Sequence, residues 1–186
     1  MPESCTAGFV IACLVLGMAG GAQAGKAAER SRKPPKFKVG QEVNITFDLS
    51  GELYYVEPNI PRLPADFSSL KPVGVLQAKK LDITERDAEA EGFPGVKNRA
   101  EWFAIDYKGT FRIYRAGDYA FLLTSDDGSK LYIDDELVVD NDGLHAPVTE
   151  EGVKSLSAGE HRIRVSYFQG PKGRVALVLK VLWAGE

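Results

Sequence analysis

Cysteine is scarce in this sequence, and its position excludes several kinds of site. Only two of the 186 residues are cysteines, Cys5 and Cys13, and both lie in an apolar N-terminal segment that we predict to be removed. The remaining chain then contains no thiol, which excludes a disulfide framework, a thiolate metal site and a cysteine nucleophile. An exported domain without disulfides depends on its hydrophobic core and, in some cases, on a bound ion.

Histidine is scarce as well, and there is no excess of positive charge. The chain has two histidines, His145 and His161, and a formal net charge of −3, so it lacks the basic surface of a nucleic-acid-binding protein. No Gly-x-Ser-x-Gly, His-Glu-x-x-His or phosphate-binding loop occurs. We assign His161, in a turn before a predicted strand, a structural role. Without a recognised catalytic constellation, the sequence predicts a protein that is not an enzyme.

The N-terminus carries the longest apolar run, from Ala7 to Ala24. It is rich in small residues and ends in Ala-Gln-Ala, the small-x-small pattern of a signal peptidase site, although basic residues are missing at its start. We predict that residues 1–24 are a signal peptide, which implies a secreted, periplasmic or cell-surface protein. The alternatives are a membrane anchor and a lipoprotein attached through Cys13. Residues 25–39, with paired prolines and many basic side chains, are predicted to be a solvated linker.

From residue 40 to residue 186 the sequence has the pattern of short strands separated by turns. The segment 101–113 suggests two strands joined at Lys108-Gly109, and the segment 174–183, apolar on both faces, suggests a central strand. Asp134-Asp135 is predicted to form a tight hairpin turn, because aspartate tolerates left-handed backbone. Residues 81–95 are the only stretch suited to a helix. The predicted fold is all-β, an antiparallel, jelly-roll-like β-sandwich with at most one short helix.

Seven carboxylates are concentrated between Thr124 and His145. Asp126 and Asp127 follow a predicted strand directly and precede Gly128. Ca²⁺ takes about six to eight oxygen ligands in loose geometry, so adjacent acids suit it. Turn residues in water would explain the same pattern, and the residue types alone leave both interpretations open. The later segment 140–145 resembles the start of an EF-hand but lacks its glutamate and its helices, so we reject an EF-hand.

The order of these motifs resembles one protein family. The sequence is similar to the β-sandwich domain named for the anthrax-toxin protective antigen, the fourteen-kilodalton domain family. The likeness lies in the order of the motifs: a strand, Ser-Asp-Asp-Gly, a strand, a hairpin, Val-Val-Asp, Ala-Gly-Glu-His and a strand with Tyr-Phe. The likeness is specific over residues 104–183 and extends more loosely back to about residue 40. It implies an antiparallel β-sandwich, usually not itself an enzyme, of the kind found in toxins, glycosidases and adhesins.

The resemblance also implies a metal site. In the lectin-like members two consecutive aspartates joined by a cis peptide hold Ca²⁺, and sugar hydroxyls complete its coordination. Asp126 and Asp127 match that pair, and the loop before the last strand supplies further ligands. Gln169 stands in that loop, where the fungal lectins have asparagine, so we predict it as the third metal ligand. The predicted ligand-contact residues are Asn141, Asp142, His145, Gly170 and Lys172.

Two functions from different classes follow. The first is an exported, calcium-assisted carbohydrate-binding or adhesion module whose partner is a glycan or a cell-surface polysaccharide. The alternative is a structural or protein–protein interaction domain of the cell envelope that packs against an envelope protein and binds no metal. Nucleic acid is not an expected partner of either.

Overall fold

The computed structural model describes residues 40–185. The predicted signal peptide, the linker and Cys13 lie outside the described residues, so these assignments stay predictions. No helix that is long and apolar enough to cross a membrane is found within residues 40–185.

Strands form all the regular structure of the described chain. They are β1 Gln41–Glu42, β2 Asp48–Tyr55, β3 Gly74–Ala78, β4 Asp82–Asp87, β5 Phe103–Ile113, β6 Gly117–Asp126, β7 Ser129–Ile133, β8 Glu136–Asn141, β9 Val148–Leu156, β10 Gly159–Gln169 and β11 Arg174–Gly185. The predicted all-β fold class is confirmed.

The strands pair into two antiparallel sheets. A five-stranded sheet has the order β1-β11-β6-β9, with β4 also paired to β11, and a six-stranded sheet has the order β3-β2-β5-β10-β7-β8. β11 is paired on both sides, with β6 on one and with β1 and β4 on the other, which confirms the predicted central strand. Since sequence neighbours β6 and β7 lie in different sheets, the chain crosses the sandwich between Asp126 and Ser129.

The main core lies between the sheets and is built by alternation along the strands. Successive side chains of a strand point to opposite faces, so every second residue enters the core. Leu131 and Ile133 of β7 and Val175 and Leu177 of β11 are all fully buried. A second, smaller core lies where the loop between β2 and β3 packs against Tyr54, Ala104 and Phe168.

Two local expectations are wrong, for physical reasons that the structure shows. β5 continues through Lys108-Gly109 without a turn. A Cβ at Gly109 would lie 1.8 Å from the carbonyl oxygen of Asp48, so this glycine permits close approach of β2 rather than a turn. The stretch 81–95 forms β4 and a turn instead of a helix, because its backbone pairs with β11.

The hairpin between β7 and β8 is confirmed. Asp134 and Asp135 both have left-handed backbone, with φ of 51° and 67°. The Asp134 carboxylate accepts hydrogen bonds from the His161 ring at 2.7 Å and from the Arg162 amide at 2.9 Å. His161 also contacts the Ser157 carbonyl oxygen at 2.9 Å. This histidine therefore fixes the hairpin to β10, which is a structural role.

Candidate functional site

The paired aspartates lie where the chain leaves the five-stranded sheet. β6 ends at Asp126, the peptide bond between Asp126 and Asp127 is cis, and β7 begins at Ser129. Both side chains are buried, with 7% and 6% of their surface exposed. A Cβ at Gly128 would lie 2.8 Å from the Gly143 nitrogen, so glycine is what allows this turn to fit against the loop after β8.

Main-chain amides hold the Asp127 carboxylate from two loops. Its Oδ1 accepts a hydrogen bond from the His145 amide at 3.0 Å, and its Oδ2 accepts one from the Gly170 amide at 2.9 Å. Burial raises the pKa of Asp127, and the two amides offset only part of that effect. The carboxylate is thus fixed in orientation by residues 18 and 43 positions away.

The Asp126 carboxylate, unlike that of Asp127, is not held by main-chain amides of the described residues. No residue in the 40–185 range donates a hydrogen bond to this carboxylate; the residue is 7% exposed, and the carboxylate oxygens keep contact with solvent. Burial and the neighbouring Asp127 raise the pKa of Asp126 to about 6. A largely buried carboxylate that only water solvates is less stable in its ionised form than one in bulk water, and an opposite charge bound to it would stabilise it.

Tyr167 and Gln169 form the floor beneath the pair. The buried Tyr167 hydroxyl lies 2.6 Å from the Asp126 carbonyl oxygen and 2.6 Å from Gln169 Oε1. Gln169 Nε2 faces Asp127 Oδ2 at 3.4 Å and donates to the carbonyl oxygens of Pro171 and Arg174 at 3.2 and 3.1 Å. The Gln169 side chain thus meets Asp127 as a donor, while its oxygen is bound to Tyr167. Its role as a metal ligand stays a prediction.

Asn141 and His145 reach the same region from the loop after β8. The Asn141 amide group is buried and donates to Ser125 Oγ at 3.0 Å and to the Val148 carbonyl at 3.1 Å. The His145 ring nitrogens face the carbonyl oxygens of Ala146 and Asn141 at 2.9 and 3.0 Å. Asn141 therefore anchors the loop from inside, and His145 contacts Asp127 through its backbone.

The side chains of Asp142 and Lys172 have other partners. Asp142 accepts a hydrogen bond from the Leu63 amide at 2.8 Å and lies 3.2 Å from the Lys130 ammonium group. The Lys172 ammonium group pairs with Glu89 at 2.9 Å on the exposed surface. The structure thus brings together Asp126, Asp127, Gln169, Gly170 and the backbone of His145, while these two side chains contact other groups.

Three further residues at the site escaped the sequence analysis. They are Tyr167 beneath the pair, and Arg174 and Glu85, whose charges act on Asp126. Arg174 and Glu85 come close to Asp126 only through the pairing of β strands, and a local sequence motif does not reveal strand pairing. Leu144, 45% exposed, lies over Gly170, where a Cβ would come within 2.3 Å of its Cδ2. It gives the site an apolar rim.

The donor set of the site is limited to oxygen. No group of three or more His, Cys, Asp or Glu side chains that could hold a metal ion occurs among the residues that the structure describes. A cation here would have two carboxylates and would need carbonyl, water or ligand oxygens in addition. Such a set suits a hard ion such as Ca²⁺ rather than a transition metal. Among the residues of the site that the structure describes, none is a nucleophile with an adjacent base.

Comparison with known proteins shows the family. The PA14 domain family matches residues 53–185. No curated protein sequence matches the chain. Among solved structures, the chain is similar to the PA14 domain of the MpAFP antifreeze protein, with 19% identity and a TM-score of 0.58 over 77% of this chain and 85% of that one.

Two further structures share the fold. The PA14 sugar-binding domain from an RTX adhesin has 18% identity and a TM-score of 0.56 over 75% of this chain and 91% of that one. The A domain of epithelial adhesin 6 from Candida glabrata, solved with Galβ1-3GlcNAc, has 15% identity and a TM-score of 0.53 over 82% and 88%. With the family match covering most of the chain, the protein belongs to the PA14 domain family.

Proposed function

We propose that this chain is an exported, non-enzymatic carbohydrate-binding or adhesion module that uses a Ca²⁺ ion held by Asp126 and Asp127. The observation that carries the proposal is the adjacent pair Asp126 and Asp127, in which the largely buried Asp126 receives no hydrogen bond within the described residues while its carboxylate oxygens stay accessible. Support also comes from the structures of similar fold that are described as a sugar-binding domain and as an adhesin domain with bound disaccharide.

The residues present fit a hard cation. Asp126 lacks a compensating donor, and Asp127 is held in place by two amides, so the pair can offer carboxylate oxygens without losing its support. A bound calcium ion would neutralise the two charges and present open positions to vicinal sugar hydroxyls. The chain's own part is to fix Asp127 through Gly170 and His145 and to fix the Asp126 carbonyl through Tyr167.

The loop between β10 and β11 forms one wall of the proposed sugar-binding site. The Gly170 carbonyl accepts a hydrogen bond from the Trp102 amide at 3.0 Å, and the half-buried Trp102 ring packs against Phe168. The Leu144 side chain packs over Gly170. Apolar and aromatic groups beside a polar site are suited to the apolar face of a sugar ring.

A second function is favoured by a different surface. Val73, Val75 and Tyr55 are 51%, 62% and 45% exposed at or beside β3, the edge strand of the six-stranded sheet. Exposed apolar residues at a strand edge suit pairing with another protein. This observation supports the metal-free alternative, an interaction domain of the cell envelope.

Calcium titration and glycan binding separate the two functions. The full chain is screened on a glycan array with calcium and with chelator, beside a double variant, Asp126→Asn with Asp127→Asn. A matched control replaces the exposed Asp48 and Asp82 by Asn. We expect glycan binding only with calcium, and only in the parent and the control. Binding that is unchanged by chelator and by the double variant contradicts the proposal.

A further inference from the structure

The rim of the site carries positive charge from the start of β11, a feature that the proposed function does not explain. Asp126 of β6 is the register partner of Ala176 of β11. Directly paired residues point to the same face of a sheet, and so do residues two positions apart on one strand. Arg174, two positions before Ala176, therefore shares its face with Asp126.

Asp126 and Arg174 are diagonal neighbours on β6 and β11, so one small ligand can contact both side chains. Diagonal neighbours in an antiparallel sheet lie roughly 7–8 Å apart, within reach of a long side chain. The Arg174 charge acts on the Asp126 carboxyl group. Its carbonyl oxygen also accepts a hydrogen bond from Gln169 at 3.1 Å, which ties the start of β11 to the floor of the site.

Arg174 is only loosely bound by the protein. Its Nε lies 3.6 Å from a carboxylate oxygen of Glu85, and the two side chains are 57% and 52% exposed. An exposed ion pair of this length contributes little, so a ligand carboxylate can exchange with Glu85 at small cost. The planar guanidinium group binds a carboxylate through two parallel hydrogen bonds.

A second cation flanks the same loop. Lys172 is 58% exposed and its ammonium group pairs with Glu89, while its amide donates to Glu101 Oε2 at 3.1 Å. The segment from Lys172 to Arg174 thus presents two exposed cations at the start of β11: Lys172 faces Glu89 and Glu101, and Arg174 faces Glu85 and its register partner Asp87.

We propose that the ligand of this site is an acidic sugar, a uronic acid residue of a polysaccharide, whose carboxylate is bound by Arg174 beside the calcium-held hydroxyls. This inference rests on the proposed function, because the aspartate pair supplies the neighbouring subsite. Arg174 is the specificity-determining residue, and Lys172 adds long-range attraction.

The test compares two sugars that differ only at C6. Calorimetry in saturating calcium measures the affinity of the full chain for glucuronate and for glucose. We expect glucuronate to bind at least roughly fivefold more tightly, as a charge-assisted hydrogen bond at an exposed site allows. In Arg174→Gln the ratio should fall close to one with glucose affinity unchanged. Arg162→Gln, an exposed arginine of the other sheet, should keep the ratio.

Each result decides one proposal. Equal affinity for the two sugars in the parent, no measurable glucuronate binding, or a preference that survives in Arg174→Gln overturns the acidic-sugar inference. If Asp126→Asn still loses glucose binding in those cases, the calcium-dependent lectin function stands. If Asp126→Asn keeps its affinity for both sugars, the proposed function fails as well.

Discussion

Asp126 and Asp127 are adjacent and equally buried, yet their surroundings differ. Asp127 is bound by amides from two loops, whereas Asp126 meets no donor within the described chain. Burial and the proximity of Asp127 raise the pKa of Asp126. In the calcium-free protein Asp127 is therefore held by hydrogen bonds, whereas Asp126 has only more distant charges, Arg174 among them, to offset its burial and the neighbouring carboxylate.

This difference predicts an unusual pH dependence. The pKa of Asp126 rises from an ordinary 3.8 to about 6, so between these values the folded chain binds this proton more tightly than the unfolded chain. The contribution of Asp126 to stability is therefore lost as pH rises through that window. In chelator, Asp126→Asn should match the parent near pH 3.5 and exceed it at pH 7.5 by at most about 3 kcal/mol, a limit that screening by water reduces at this partly accessible carboxylate.

The measurement is urea unfolding of both proteins across that pH range. Asp48→Asn, at an exposed position on β2, serves as the control and should track the parent at every pH. A difference between Asp126→Asn and the parent that does not vary with pH would show that Asp126 is not destabilised by its surroundings.

Tyr167 leads to a second prediction at this scale. Its hydroxyl lies 2.6 Å from the Asp126 carbonyl and from Gln169 Oε1, all in the interior. Tyr167→Phe removes the hydroxyl proton that one of these two buried acceptors receives and should cost about 1 to 3 kcal/mol in denaturant unfolding. Tyr107→Phe is the matched control, since the buried Tyr107 makes no hydrogen bond through its hydroxyl within residues 40–185. Equal costs for the two variants would contradict this assignment.

At the scale of elements, the sequence predicted what local chemistry determines. The β7–β8 hairpin followed from two turn-forming aspartates, and β11 followed from its apolar faces. Gly109 and the acidic stretch that became β4 were misread, because their conformations depend on partners distant in sequence. The consecutive aspartates could be identified from the sequence as a motif. Tyr167 and Arg174 could not be identified in this way, since only strand pairing brings them to the site.

The hairpin turn provides a direct test of its backbone conformation. Asp135 has φ of 67°, and within the described part of the chain its side chain contacts Arg162 alone, at an exposed position. Asp135→Gly should be neutral or slightly stabilising, whereas Asp135→Val should cost about 1 to 2 kcal/mol, because a β-branched residue resists left-handed backbone. Thermal unfolding of both variants checks this. If valine is tolerated as well as glycine, the turn differs from the one described.

At the scale of the whole molecule, two sheet edges meet and close one side of the sandwich. A Cβ at Gly152 of β9 would lie 2.0 Å from the carbonyl oxygen of Val138 on β8. Strands of different sheets thus touch backbone to backbone beside the loop that carries His145. The position of that loop, and with it one support of Asp127, depends on this contact.

Gly152→Ala should therefore destabilise the whole domain. Overpacking against rigid backbone costs about 1 to 3 kcal/mol, and the strands should separate slightly. Gly173→Ala is the control, since no atom lies within 4 Å of a Cβ built there. Chemical denaturation checks both. A Gly152→Ala protein as stable as the parent would mean that β8 and β9 are not in backbone contact.

The central claim is that Asp126 binds a divalent cation that stabilises the folded protein. Thermal unfolding at pH 7.5 tests this claim most directly. The parent and Asp126→Asn are melted in chelator and in millimolar calcium. We predict that the variant is the more stable protein in chelator and that calcium raises the melting temperature of the parent alone, which reverses their order. A melting temperature of the parent that calcium leaves unchanged, or raises equally in both proteins, would contradict the account.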